Sequence, residues 1–123
     1  MKLYLLVALF GAAGSVLRYF FFIITPKIYY SSFPVSTVTV NLLGSFFIGL
    51  FISLFDRGII NENIRVCITI GLLGGFTTFS TFSMDMFYLI NKSLYLQTAF
   101  YICISVFLGL GFFIMGQKVS NLI

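Results

Sequence analysis

Four apolar runs, at roughly residues 3–24, 35–55, 64–90 and 94–116, constrain this chain more than any other feature. Each exceeds the ~20 residues that a helix needs to cross a hydrocarbon core of about 30 Å. The connections between them are short and hold most of the charge, so no stretch is left for a soluble domain. Only 8% of the residues are charged and 60% are hydrophobic, against about 25% charged in a soluble domain. Lipid offers no hydrogen bonds, so a spanning segment must satisfy its own backbone. The reading is an all-α integral membrane protein with four transmembrane helices in a single domain, residues 1–123.

The N-terminal run has some features of a secretory signal, with Lys2 at its start and Ala12-Ala13-Gly14 within it. It continues through Ile24, longer than a usual signal core, so a retained span is expected. Cys67 and Cys103 both fall inside apolar runs without metal-ligand spacing and are expected as small core hydrophobes. With no His and no Cys cluster, the sequence offers no transition-metal site. No residue set suggests catalysis, an ATP site or a nucleic-acid partner.

Polar residues inside the runs are few and patterned. In the first, Gly11, Gly14 or Ser15, and Arg18 share one face. The small residues there let helices approach closely. Arg18 either snorkels to the headgroups or faces a vestibule that attracts anions. In the second, Thr37, Asn41 and Ser45 recur every four residues. A carboxamide in lipid needs a partner, so Asn41 is either helix–helix glue or a pore-lining donor. Tyr101, Ser105 and Gly109 repeat the spacing in the fourth run. Lys27, Tyr29, Tyr30, Ser31, Ser32 and Pro34 mark the first connection, and Lys92-Ser93 a tight third one. Asp85 lies about a turn from the end of the third run, where it is able to reach water.

That third run carries the sharpest departure from a plain membrane helix: Gly74-Gly75-Phe76-Thr77-Thr78-Phe79-Ser80-Thr81-Phe82. Adjacent glycines weaken a helix by about 1 kcal/mol each relative to alanine. Ser and Thr hydroxyls compete for the local backbone. A break in the helix at mid-membrane is expected. Non-helical backbone at that depth survives only against protein or a water-filled cavity.

The break frees carbonyls, and unwound carbonyls coordinate Na⁺ and K⁺ in other transport proteins. The Phe rings offer a second chemistry, because an aromatic edge is positive and is able to meet an anion. Against this, the chain has 17 Phe, and most Phe side chains in such a protein simply pack. With four spans, one side of the membrane holds Lys2, Arg57, Arg65 and Lys118. The other holds Lys27 and Lys92, with Arg18 if it reaches that surface. So small a cation bias permits insertion in both directions. An antiparallel homodimer would bury the polar stripes and let two breaks meet on the axis.

The Gly74–Phe82 run closely resembles the signature of the Fluc (CrcB) fluoride channel family. Gly11 through Arg18-Tyr19, Asn41-Leu42-Leu43-Gly44-Ser45-Phe46, and Tyr101 with Ser105 are similar to its other elements. The resemblance implies a dual-topology, antiparallel homodimer in the cell inner (plasma) membrane that exports toxic fluoride. It implies two fluoride pathways and a structural Na⁺ at the centre. Carried over by position, Gly74 and Thr77 supply backbone carbonyls to Na⁺, and Phe79 and Phe82 are the edge-on aromatics. Asn41 donates near those rings, Thr37, Ser80, Thr81, Tyr101 and Ser105 form polar tracks, and Arg18 belongs to the vestibule. Asp85 stands where the family often has Glu, and Gly109 where some members carry a track Ser. The rival reading is a small multidrug-type proton-coupled exporter, similar in size and topology. Such an exporter uses a membrane-embedded carboxylate, usually Glu in the first span, and this first span has no acid. A non-transporting packing subunit is the third reading.

Overall fold

In the computed structural model, residues 1–28 and 32–123 are described. Tyr29, Tyr30 and Ser31, expected in the first connection, lie outside the described residues, as does the side chain of Lys27. Four helices are long and apolar enough to cross a membrane: Lys2–Pro26, Val35–Asp56, Glu62–Asn91 and Tyr95–Ser120. The chain is a multi-pass membrane protein. The spans reach slightly past the apolar runs. At the third, Asn61 accepts a hydrogen bond from the Ile64 N–H at 3.0 Å and caps a helix that starts at Glu62, just before the run.

The spans associate as two parallel pairs. In the first pair, Gly71 and Gly75 lie one turn apart on the third span and meet the backbone of the first span at Val7 and Gly11. A methyl group on Gly75 would overlap the Gly11 carbonyl, and one on Gly14 would overlap that of Leu72. This close approach is the small-residue packing that membrane helices use where no hydrophobic force separates them from lipid. The second and fourth spans repeat the device. Gly49 sits on the Phe113 carbonyl and Gly116 on that of Phe46. Their ends are tied by Ser53 bonding Ser120 through the hydroxyls and by Arg57 donating to the Ser120 carbonyl.

A small core joins the two pairs. Phe82, Leu89 and Tyr101 are buried there, with Phe33, Val38, Met86 and Leu94 packed around them. The third span is the most covered of the four and the first the least. Cys67 is buried as expected, but Cys103 is exposed. The fourth span turns Thr98 and Tyr101 inward. Two residues on, at about 100° per residue, Cys103 points the other way.

Two stretches wind wider than an α-helix, Cys67–Leu73 in the third span and Ile104–Leu108 in the fourth. Such π-helical turns mark functional sites more often than ordinary helix does. The first immediately precedes Gly74, and the second contains Ser105.

Candidate functional site

The third span is broken at two residues. Thr77 (φ −79°, ψ 162°) and Thr78 (φ −153°, ψ 123°) are extended. Residues 62–76 lie before the break, and Phe79–Asn91 resumes after it. The break stands where the glycine pair and the hydroxyl run placed it. Its polar groups are satisfied from three directions. The Thr77 N–H and hydroxyl both donate to the Leu73 carbonyl, at 2.9 and 3.0 Å, and finish the first half. The Thr78 hydroxyl oxygen accepts from the Thr81 N–H at 3.1 Å and caps the second half.

The extended residues are held from outside the span. The Asn41 carboxamide pairs with both backbone groups of Thr78: Oδ1 accepts from its N–H at 2.8 Å, and Nδ2 donates to its carbonyl at 3.0 Å. It serves as a substitute peptide, as a neighbouring strand would in a sheet. The second N–H of the amide is left over. Arg18 Nη1 donates to the Thr77 carbonyl at 3.0 Å. Its guanidinium is therefore drawn to the break, a placement that neither a snorkelling nor a vestibule reading supplies by itself.

These substitutions determine which carbonyls are released. The Thr78 N–H would serve Gly74 O in an unbroken helix, but it serves Asn41. The Thr81 N–H would serve Thr77 O, but it serves the Thr78 hydroxyl. Gly74 and Thr77, the pair expected to face Na⁺, are thus among the carbonyls that lose their helical donors at the break, together with Gly75 and Phe76. Uncharged oxygen donors suit a hard monovalent cation, so the residues fit the ion. Gly74 is exposed on the chain's own surface, open to a neighbour. Arg18, already bonded to Thr77 O, is a like charge beside such an ion.

Beside the break lies a cavity of about 300 Å³, walled by Asn41, Ser45, Thr77, Thr78, Phe79, Phe82 and Ser105 among others, with no charged group in its lining. The Phe79 and Phe82 rings are 5.8 Å apart at 38°. Phe82 is buried, whereas Phe79 is 78% exposed. Buried Ser105 Oγ has no hydrogen-bond partner among the described residues. Among the expected track residues, Thr81 is at the cap, and Ser80 Oγ lies 3.3 Å from Thr78 Oγ1. Thr37 and Tyr101 are elsewhere, both donating to Asp85 Oδ2, at 2.6 and 3.0 Å. That carboxylate lines a second, wider cavity of about 380 Å³ together with Ser32, Ser36, Tyr88 and Lys92. Two further polar residues of the cavity wall are Ser45 and Thr78. Ser45 was legible from its four-residue spacing after Asn41. Thr78 acts through its backbone, which no residue-type pattern reports.

A second half-helix that starts at Phe79, beside the cavity, aims the positive end of its dipole at that region. A cavity lined by aromatic rings, hydroxyls and an amide, next to a helix N-terminus, is suited to a small anion that must leave again. The model of the CrcB family (CrcB-like protein, Camphor Resistance) matches residues 5–117. A fluoride-specific ion channel FluC of Phocaeicola vulgatus is 46% identical over 124 residues, which covers 98% of this chain and 100% of that protein. Proteins of the same description from Allorhizobium ampelinum and Shewanella frigidimarina are each 42% identical, covering 98% and 93% of this chain and 98% and 92% of their own lengths. Matched from the first span to the last, and bearing its glycine–threonine break where the third span must open, the chain belongs to the CrcB family.

Proposed function

We propose that this chain is a passive, fluoride-selective channel that exports toxic fluoride across the cell inner (plasma) membrane. The observation that carries the reading is the uncharged cavity at the break, where Phe79, Phe82, Asn41 and Ser105 converge. Moving a carboxylate-sized ion into a dry interior costs on the order of 20 kcal/mol, and a smaller ion costs more. The path must therefore replace water continuously. Ring edges supply partial positive charge. Ser105 and the spare N–H of Asn41 supply donors that no internal acceptor uses. Ser80 and Thr81 extend the donors along the start of the second half-helix, and Thr37 and Tyr101 continue the route toward the wider cavity. Each contact is weak and neutral, so the ion is able to leave, as conduction requires. Arg18 contributes a positive charge at the break and raises the local anion concentration. The function is transport, with no covalent chemistry.

The working unit is an antiparallel homodimer with one fluoride route per chain. Phe79, exposed at mid-membrane beside an extended backbone, supports this, because such backbone needs protein cover. So does the exposed Gly74. Two copies would bring four released carbonyls, Gly74 and Thr77 from each, around a central Na⁺. That ion would supply a fixed positive charge joining the two breaks.

Fluoride efflux from liposomes that hold the purified protein tests the reading. The expected result is rapid efflux, driven only by the fluoride gradient, with chloride left behind. Correctly assembled protein that passes no fluoride would overturn it. Uphill fluoride or drug movement driven by a proton gradient would replace it with the exporter.

A further inference from the structure

The channel reading places Thr37 and Tyr101 along the route but leaves the carboxylate that binds them without a role. We propose that Asp85 is a positioning residue of the permeation path, acting as a hydrogen-bond acceptor for Thr37 and Tyr101 rather than as a charge. The proposal rests on the channel reading for its functional consequence.

A single oxygen, Asp85 Oδ2, receives the Thr37 hydroxyl from the second span and the Tyr101 phenol from the fourth. Thr37 is 2% exposed and Tyr101 0%. Three spans are thereby pinned at one atom. Asp85 follows Phe82 by three residues, on the same helix face. The Tyr101 ring lies 5.0 Å from the Phe82 ring and meets Phe33 edge-on at 5.6 Å. Phe82 in turn flanks Phe79. The acceptor therefore fixes the phenol, the phenol backs Phe82, and Phe82 sets the inner wall beside the break.

Two consequences follow. Both hydroxyl hydrogens point at the carboxylate, so neither is free for a passing anion while Asp85 accepts them. Deleting the acceptor would also strand two buried hydroxyls and release the ring behind Phe82. A carboxamide, in contrast, retains an sp² oxygen with two lone pairs and the same shape. Its NH₂ would take the place of Oδ1, on the side chain that lines the wider cavity.

The test compares wild type, D85N and D85A in fluoride efflux from liposomes. The expected result is D85N within about twofold of wild type and D85A about tenfold or more below it, since stranded buried donors are costly. Equal changes in D85N and D85A would assign Asp85 to a charge role and overturn the proposal. If D85A does not assemble, D85L, close in volume and without an acceptor, replaces it. A second readout does not depend on flux. The resonance Raman doublet of Tyr101, isolated by subtracting a Y101F spectrum, reports whether the phenol donates. It should show a strong donor in wild type and D85N and lose that signature in D85A. An unchanged doublet in D85A would refute the proposal even if wild type carried no fluoride, an outcome that would count separately against the channel.

Discussion

Asn41 is the residue at which packing and permeation can be separated by number. Its carboxamide makes two hydrogen bonds to the Thr78 backbone, at 2.8 and 3.0 Å. Asn41→Ser is too short for either and strands both groups. At about 1–3 kcal/mol for each unsatisfied buried group, that is about 2–6 kcal/mol of lost stability, less whatever a water recovers. The path stays neutral. Asn41→Asp keeps the acceptor for the Thr78 N–H but turns an oxygen toward the Thr78 carbonyl. It also places a charge in the wall of the cavity. For an anion about 5 Å away at an effective dielectric of about 20, the repulsion is about 3 kcal/mol, or roughly a hundredfold in rate. The Asn41→Asp variant is therefore expected to conduct less than Asn41→Ser, although it retains more of the backbone contact. The assay is initial fluoride efflux, read by a fluoride electrode, from liposomes with equal amounts of monodisperse protein. If Asn41→Asp conducted as well as or better than Asn41→Ser, the reasoning would fail, and Asn41 would be a clamp on the break without a wall of the path.

Other outcomes follow from the same geometry. Phe79→Ile should lower fluoride flux while leaving assembly intact, because the ring is 78% exposed and packs little within its own chain; unchanged flux would remove it from the route. Gly75→Ala should destabilise the fold by about 1–3 kcal/mol, as overpacking does, since the added methyl overlaps the Gly11 carbonyl. Gly111→Ala should not, because nothing lies within 4 Å of that position. Equal thermal midpoints for the two glycine variants would contradict the first–third span packing. Replacing Na⁺ throughout purification by a large organic cation should lower the unfolding midpoint of the assembled protein. An unmoved midpoint would argue against Na⁺ at Gly74 and Thr77.

Much of this architecture is local and so could be read residue by residue. A span is a matter of length against bilayer thickness, and four runs make four spans whatever their neighbours are. The break is local as well: two glycines and a run of hydroxyls weaken the helix in their own turn, and Thr77 and Thr78 unwound where that weakness lies. Of the cavity residues, Asn41 and Ser105 were nameable because they interrupt otherwise apolar helices, whereas Phe79 and Phe82 were singled out by the resemblance of the Gly74–Phe82 run to the CrcB signature. Partner choice was not legible. Arg18 was balanced between headgroups and vestibule, and it went to the Thr77 carbonyl. Asn41 was balanced between glue and pore, and its amide clasps Thr78 beside the cavity at the break. Asp85 was placed where it is able to reach water; it lines the wider cavity, and its Oδ2 holds two hydroxyls from other spans. Each outcome depends on which backbone and side-chain groups a neighbouring helix presents within about 3 Å, a hydrogen bond's reach. Helix pairing sets that proximity, and a single span carries no record of it.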